Sequence, residues 1–479
     1  MGAGVASDIQ NSGDPATLSI RWALAGLSLS MLLSSLGTSI ANVALPTLAQ
    51  NFDASFQQVQ WIVLSYLLAI TALIVGVGRL GDMFGRRRVL IAGTALFTLG
   101  SILCGLAPGI AMLILARLAQ GAGAAVMMAL TLSFVAETVP AERTGSAMGL
   151  LGTMSAVGTA LGPSLGGLLI ALLGWQSIFF LCAGLGSLAL ALNLRHLPAD
   201  GAARARASFD VPGMALLAFA LTAYALAMTL EKGRVGLLGG LLLTAAALGA
   251  FLFVRVEKRA SSPLVELAMI RDRGLGGGLA MSALVTTVLM ATLVVGPFYL
   301  SQALGFGAAG VGLIMSAGPV VAAVTGIPAG RLVDRLGAQR MTAAGLIGVT
   351  AGSLLLAILP ASLGVGGYVV SMMLMTAGYA LFQAANNTAV MTGIGPASRG
   401  VVSALLNLSR NLGLVTGASL MGAVFALASG SAGFGSVPAS AVATGMHLTF
   451  AMGTLLGFAA LLIATAGRAA PGTLLTARL

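Results

Sequence analysis

Long apolar runs separated by short charged segments make up almost the whole chain. The charge-free runs cover residues 22–52, 54–78, 89–116, 118–136, 144–194, 211–230, 235–254, 274–330, 341–398 and 400–467, the last interrupted by Arg410. About 20 apolar residues in a helix cross the hydrocarbon core of a bilayer, so the longer runs hold two helices each. Division at glycine, proline and serine clusters near Pro108, Gly174, Gly305 and Pro360 and within 429–440 predicts fourteen membrane-spanning helices.

Lys and Arg residues are distributed unevenly between the two ends of these helices. If both chain termini are cytoplasmic, 20 of the 24 Lys and Arg residues fall in or next to cytoplasmic segments, as the positive-inside rule requires. Lys232 and Arg234 fall on the other side, while Arg117 and Arg410 lie within predicted helices. The sequence therefore predicts a multi-pass membrane protein with both termini in the cytoplasm.

Composition narrows the class of protein further. With 58% hydrophobic and 8% charged residues, the chain cannot present an ordinary soluble surface. Its net charge of +11 indicates membrane topology and not nucleic-acid binding, because basic patches interleaved with aromatic residues are absent. Cys104 and Cys182 lie in the middle of predicted helices, which gives no support to a disulfide or a metal site. No catalytic set appears, so we expect neither an enzyme nor a bound cofactor.

A charged motif occurs twice along the chain. GRLGDMFGRRR at 78–88 returns as GRLVDRLGAQR at 330–340, an offset of 252 residues from position 82 to position 334. Each copy follows the second predicted helix of its half, which implies two six-helix bundles of the same orientation. The predicted organisation is a tail 1–21, an N-terminal bundle 22–194, a linker 195–273 with two extra helices at 211–230 and 235–254, a C-terminal bundle 274–467 and a tail 468–479.

Four motifs, which occur in the order expected for one known family, carry a resemblance to that family. The 78–88 loop resembles the signature loop of the major facilitator superfamily, and residues 61–82 resemble the second span of its fourteen-span drug:proton antiporters. RLAQGAGAA at 117–125, GTALGPSLGG at 158–167 and NVALP at 42–46 are similar to that superfamily's fourth-, fifth- and first-span motifs. The resemblance implies an all-α protein of a bacterial cytoplasmic (inner) membrane, without a cofactor. It also implies the major facilitator fold, that is, two six-helix bundles plus two extra transmembrane helices.

The resemblance implies a latch between the bundles at the first loop. The residues concerned are Gly78, Asp82, Gly85, Arg86 and Arg87, and Asp334 and Arg335 keep part of the pattern in the second copy. Glycine permits close approach and a tight reversal, while the acid and the arginines can pair with each other or with helix ends. The alternative is that the arginines only anchor the loop to anionic lipid.

A second motif indicates a hinge. Gly158, Gly162 and Gly166 recur every four residues and share one helix face, which lets another backbone come close. Pro163 removes a backbone hydrogen bond and bends that helix. The alternative is ordinary tight packing in a chain with 66 glycines.

Polar groups inside predicted helices are candidates for binding or relay. By resemblance Arg117, with Gln120 one turn on, belongs to the proton or substrate relay of the fourth span; the alternative is an arginine bonded to backbone carbonyls. Arg410 lies roughly 16 Å along the helix from Arg399 at 1.5 Å per residue, and its functional and structural roles stay equally open. Further candidates for a drug-sized cavity are Asn42, Gln60, Trp61, Tyr66, Tyr299, Gln302, Tyr379, Gln383, Asn386 and Asn387. Interhelical hydrogen bonding is the alternative for each of them.

An intramembrane carboxylate is missing from the sequence. None of the 13 acidic residues falls within the middle of a predicted helix, and Gly37 stands where the fourteen-span antiporters usually have an aspartate. Proton antiport needs a group that is protonated alternately from the two sides. The remaining candidates for proton coupling are Glu137, Asp53, Glu231 and His447.

These observations lead to an expected function and to alternatives. We expect a monomeric exporter of drug-like or toxic small molecules that exchanges them for protons by alternating access. The missing acid favours an uncharged or anionic ligand over a dication, so export of a specific neutral or anionic metabolite, without standard proton coupling, is the alternative. A receptor or scaffold on this fold would not need the antiporter motifs.

Overall fold

A computed structural model describes residues 15–138, 141–200, 210–230, 236–260, 272–360, 363–392, 399–430 and 438–466, and these residues form helices without a strand. Fourteen of the described segments are long and apolar enough to cross a membrane, which confirms the predicted number. The chain is therefore an all-α membrane protein, because in lipid each backbone polar group must find its partner within the helix.

The first half of the chain forms six helices. They are α1 (Pro15–Asn51), α2 (Phe56–Phe84), α3 (Arg86–Gly105), α4 (Ile110–Thr138), α5 (Ala141–Leu173) and α6 (Gln176–His196). α1 begins at Pro15, ahead of the predicted start at Trp22, and packs mainly against α5 and α6. α4 packs against both α2 and α3.

Two further helices, α7 (Val211–Leu230) and α8 (Leu237–Glu257), form a hairpin at the positions predicted for the extra spans. α7 packs against α8 on one side and against α2 on another. α8 is the most exposed of the candidate spans, with 17% of its apolar window buried. It therefore faces lipid along most of its surface.

The second half repeats the arrangement with two interruptions. Its helices are α9 (Arg273–Phe298), α10 (Ala308–Met315), α11 (Ala317–Leu336), α12 (Ala338–Ile358), α13 (Gly364–Met391), α14 (Arg399–Thr416), α15 (Gly422–Ser429) and α16 (Ala439–Ala466). π-helical turns at Tyr299–Ala303 and Gly417–Met421 end α9 and join α14 to α15. The predicted second span of this half is divided at Ser316, between α10 and α11.

Glycines at equivalent positions show that the repeat extends beyond the loop motif. A Cβ on Gly100 would lie 2.7 Å from the Gln120 amide nitrogen, and a Cβ on Gly352 would lie 2.7 Å from the Met375 amide nitrogen. Positions 100 and 352 differ by the same 252 residues as the two aspartates of the loops. The contact between α3 and α4 therefore recurs between α12 and α13. The domain boundaries at 22–194, 195–273 and 274–467 stay a prediction.

Candidate functional site

The two copies of the charged motif form matching turns. Gly85 lies between α2 and α3 at φ 94°, and Gly337 lies between α11 and α12 at φ 87°. Both positions require glycine, because other residues rarely adopt a positive φ. We call the side of the molecule that carries these turns the motif-loop side. Around Gly78 and Gly337 no atom lies within 4 Å of an added Cβ, so neither is needed for close packing.

An aspartate that the motif does not contain caps the first loop. The carboxylate of Asp200, just after α6, accepts hydrogen bonds from the backbone amides of Arg87 (2.7 Å) and Arg88 (3.2 Å). The Arg87 guanidinium donates to the Leu194 carbonyl at 2.6 Å, which fixes the loop to the end of α6. These contacts satisfy amides at the start of α3 that have no partner within the helix. In the second copy, Asp334 and Arg335 are exposed.

Arg117 is buried completely in the wall of the first half. Its guanidinium donates to the carbonyls of Ile62 (2.9 Å) and Gly37 (3.0 Å) and to the Gln120 side chain (2.6 Å). Gln120 in turn donates to Ser101 at 2.7 Å. One cation thus joins α1, α2 and α4, and Gln120 extends the network to α3. In this conformation neither side chain has a surface that a ligand could touch, with both 0% exposed.

An aromatic ring occupies the space beside Gly37. The Tyr66 ring lies under Arg117, with the guanidinium carbon 4.0 Å from the ring centroid, and the Tyr66 hydroxyl donates to the Ser34 carbonyl at 2.7 Å. A Cβ on Gly37 would lie 2.6 Å from that hydroxyl. Cation–π contact with Tyr66 and carbonyl hydrogen bonds therefore hold the charge of Arg117 where a carboxylate is missing.

The described acidic side chains lie at helix ends or in turns. They are Asp53, Asp200, Asp210, Glu257, Asp272 and Asp334. The side chains of Asp82 and Glu137, and the whole of Glu231, lie outside the described residues. Asp53 is exposed in the turn between α1 and α2. His447 is half-buried, and its Nε2 has no hydrogen-bond partner among the described residues. Within the described part of the chain, the interior of the spans thus contains arginine but no carboxylate.

The glycine face of α5 packs inside the first half. Gly158, Gly162 and Gly166 lie against Leu32, Ser39 and Ile40 of α1, where an added Cβ would meet backbone or side-chain atoms. The neighbouring face of the same helix meets the second half. A Cβ on Gly167 would lie 2.6 Å from the Ala308 carbonyl oxygen, and the Pro163 carbonyl packs on Gly312. α5 therefore contacts α1 on one face and α10 on the next.

Aromatic side chains close the molecule on the side opposite to the motif loops. Phe56 at the start of α2 lies 4.9 Å from Phe298 and 5.2 Å from Phe425, ring centroid to ring centroid. Next to them the Gln60 side chain donates to the Ala418 carbonyl of the second half. On the motif-loop side, Phe84 and Leu336 at the ends of α2 and α11 are 59% and 48% exposed. The contacts that Phe56 and Gln60 make with the second half therefore lie on the side opposite to the motif loops.

α7 lies over the boundary between the halves. The Trp61 indole of α2 donates to the Thr229 hydroxyl of α7 at 3.0 Å. Tyr224 of the same helix has hydrogen-bonding contacts with Thr416 and Ser419 of the second half. Trp61, predicted to line a cavity, instead has its indole nitrogen bonded to the extra hairpin.

Some of the remaining predicted polar residues form hydrogen bonds within the protein, and others are partly or fully exposed. Asn386 is buried and donates to the Gly278 carbonyl at 3.1 Å, and Asn42 donates to the carbonyls of Thr38 and Ser39. Gln383 is half-buried and Asn387 is exposed. Arg86 is half-buried at the start of α3. Asn386 and Asn42 therefore have the interhelical or local hydrogen bonds that were the alternative for these positions.

Arg410 is the second cation within a membrane-spanning helix. It is half-buried on α14, and its Nε is enclosed without an acceptor among the described residues. Ser409 and Gly413 face α9, through Leu279 and Ala283. The neighbouring face of α14 therefore packs on α9 of the same half.

Asp200, Thr229 and the three phenylalanines were not singled out from the sequence. Asp200 follows a helix in a polar segment, and its cap depends on a chain reversal of more than a hundred residues that no local pattern encodes. The three phenylalanines lie near the ends of predicted helices, and this position is the one feature of the sequence that could have indicated them.

Replacing Gly37 with aspartate tests whether Tyr66 fills the place of a carboxylate. Gly37→Asp alone is expected to destabilise the protein by about 1–3 kcal/mol because of overpacking. In the Tyr66→Ala background the same change is expected to cost less, since the carboxylate then reaches Arg117. Thermal unfolding of the purified protein in a double-mutant cycle measures this coupling. Equal costs of Gly37→Asp in both backgrounds would contradict it.

Removing the cap at Asp200 is expected to loosen the first loop. Asp200→Ala leaves two amides at the start of α3 unsatisfied and is expected to cost about 0.5–2 kcal/mol. Asp334→Ala removes an exposed acid from the second loop and serves as the matched control, with an expected change near zero. Hydrogen exchange at 85–90 and the unfolding temperature are the measurements. A loop equally protected in Asp200→Ala and in the wild type would rule out the cap.

Comparison with known proteins extends over most of the chain. The family model for the Major Facilitator Superfamily matches residues 27–418. The riboflavin transporter RibZ of Clostridioides difficile (strain 630) is 30% identical over 84% of this chain and 87% of its own length. The multidrug resistance protein Stp of Mycobacterium tuberculosis (strain CDC 1551 / Oshkosh) is 34% identical over 84% of this chain and 74% of its own.

The fold agrees with a solved structure at low sequence identity. The xylose transporter XylE from E. coli matches with a TM-score of 0.63 and 16% identity, over 95% of this chain and 98% of that one. This likeness concerns the fold alone. With the family match over residues 27–418, it follows that the chain is a transporter-fold member of the Major Facilitator Superfamily.

Proposed function

We propose that the chain is an inner-membrane exporter of drug-like or toxic small molecules that works by alternating access. The observation that carries the proposal is the closed contact of Phe56, Phe298 and Phe425 on one side, with exposed helix ends on the motif-loop side. A transporter whose binding site is open to one side of the membrane at a time needs such a seal on the other side. It must break this seal to release the transported molecule. The name of the relative Stp, a multidrug resistance protein, agrees with export of drugs.

The proposed cycle rocks the two halves about the α5–α10 and α1–α9 contacts. Breaking the phenylalanine seal and closing the motif-loop side gives the second state, in which Asp82 and Arg86 form the latch. Gly162 and Pro163 act as the hinge, because they let α5 stay in backbone contact with α1 while it moves against α10. The motif-loop side is the cytoplasmic side, as the basic residues predict, and the transporter acts as a monomer.

Proton coupling, in this proposal, uses a group at the rim of the pathway. No carboxylate in the described part of the chain lies mid-span, and Arg117 keeps its charge because a guanidinium does not deprotonate in proteins. The candidates are Glu137 on the motif-loop side and Asp53, Glu231 and His447 on the opposite side. A rim group that is exposed to only one side in each state still meets the requirement of alternate protonation.

Proteoliposomes of the purified protein test export and coupling together. An internal pH dye and a panel of cationic, neutral and anionic drugs are used, with empty liposomes and Asp82→Asn as controls. The expected result is drug-triggered proton movement that Asp82→Asn abolishes, because the motif-loop side can no longer latch. Transport left intact by Asp82→Asn would make the latch wrong, and drug transport without proton movement would make antiport wrong.

A second candidate function is export of a specific neutral or anionic metabolite. Arg410 favours it, since its side chain lies within a membrane-spanning helix and its enclosed Nε has no acceptor among the described residues. A charge in a low-dielectric pathway is costly unless it is paired, and an anionic group on the substrate supplies the missing partner. Arg117, by contrast, already has its hydrogen bonds from the protein.

Charge selectivity at position 410 distinguishes the two candidates. Under the second one, Arg410→Gln is expected to reduce transport of an anionic probe about tenfold to a hundredfold, the value of a charge-assisted hydrogen bond of about 1.5–3 kcal/mol. Transport of a neutral probe of the same size should change little, and Arg410→Lys should retain part of the activity. Arg340→Gln, at an exposed position of α12, is the matched control. An equal loss for both probes would remove the anion preference.

A further inference from the structure

The hairpin of α7 and α8 carries a cavity that the transport pathway does not use. It has a volume of about 540 Å³ and is lined by Asp210, Phe251, Leu252, Arg255, Val256, Arg259 and Ala260. These residues come from the start of α7 and the end of α8. The cavity therefore lies at the membrane boundary on the motif-loop side, outside the contact between the two halves.

Two arginines give this cavity its chemistry. Arg255 lies in the last turn of α8 and Arg259 lies two residues beyond the end of that helix. Both are exposed, and neither guanidinium has a hydrogen bond to another described residue. The Arg255 guanidinium carbon lies 5.2 Å from the centroid of the Phe251 ring, which holds the charge over an apolar surface. Guanidinium groups present a planar set of donors that matches phosphate oxygens.

The one acid in the cavity is turned away from this opening. One oxygen of Asp210 accepts a hydrogen bond from the Gly213 amide at 2.9 Å, and the other is enclosed by protein. Glu257 is buried, with 3% of its surface exposed. Arg255, Lys258 and Arg259 are exposed beside these enclosed acids, so the described charges at the opening of the cavity are mainly positive.

An apolar stripe leads from the cavity into the membrane. At 100° per residue, Leu241, Leu248 and Leu252 lie on the same face of α8 as Arg255. These leucines are 60%, 56% and 40% exposed. The stripe from Leu241 to Leu252 is roughly 16 Å long at 1.5 Å per residue, close to the length of an acyl chain in one leaflet.

We propose that this cavity and stripe bind an anionic phospholipid, with the phosphodiester on Arg255 and Arg259 and an acyl chain along α8. A general attraction between basic loops and anionic lipid would require neither a cavity nor an apolar stripe aligned with the arginines. Here two guanidiniums without an acceptor among the described residues stand at the end of an exposed apolar face, which matches a phosphate joined to a hydrocarbon chain. The site is independent of the substrate and of proton coupling.

Native mass spectrometry of the full chain in detergent tests the site. The delipidated protein is titrated with phosphatidylglycerol, with diacylglycerol of the same chains, and with inorganic phosphate as a competitor. The expected result is one tightly bound phosphatidylglycerol, little diacylglycerol, and no displacement by millimolar phosphate. Displacement by inorganic phosphate, or equal binding of diacylglycerol, would overturn the lipid assignment.

Variants of neighbouring charges separate a built site from general attraction. Arg255→Gln with Arg259→Gln is expected to weaken phosphatidylglycerol binding about tenfold or more, since two charge-assisted contacts are lost. Lys258→Gln removes the same type of charge from an exposed neighbour that does not line the cavity, and it should leave binding within about twofold of the wild type. Arg255→Lys keeps the charge and should bind between the two. An equal loss in Lys258→Gln and in the double variant would overturn the proposal, provided that all variants unfold at the wild-type temperature.

Discussion

The buried guanidinium of Arg117 is the interaction on which the first half of the molecule depends. A charge in the interior of a membrane protein requires partners, and here the carbonyls of Gly37 and Ile62, the Gln120 side chain and the Tyr66 ring supply them. The hydrogen bonds join α1, α2 and α4 at the middle of the bundle. A bundle tied in this way can move as one body, which is what rocking of two halves requires.

The contacts between the halves have a different character. Among the described residues they include phenylalanine rings, contacts of α1 with α9 and of α5 with α10, and an amide hydrogen bond from Gln60. These groups are uncharged, so their contacts can separate and form again without leaving an unpaired charge. α7 contacts both halves: its Thr229 bonds to Trp61 of the first half, and its Tyr224 contacts the second half. Movement of one half against the other therefore changes the contacts of the extra hairpin.

Much of the fold could be predicted because a membrane leaves one strong signal, the length of apolar runs. The fourteen spans, the extra hairpin and the two matching turns follow from it and from the repeated motif. The site was harder. Arg117 was recognised as an unusual charge, but the ring of Tyr66 beside Gly37 depends on the contact of two helices, and the Asp200 cap depends on a loop returning from α6. The side-chain partners of distant helices are set by packing, which the sequence pattern does not record.

The central claim, that the two halves rock about their contact, is tested most directly by distances measured between spin labels on the two sides. With Cys104 and Cys182 replaced by alanine, one label pair is placed at Asn51 and Gly307, on the closed side, and another at Phe84 and Leu336, on the motif-loop side. The account predicts that a transported compound lengthens the first distance and shortens the second in the same sample. Two distances that stay fixed, or that change in the same direction, would contradict it.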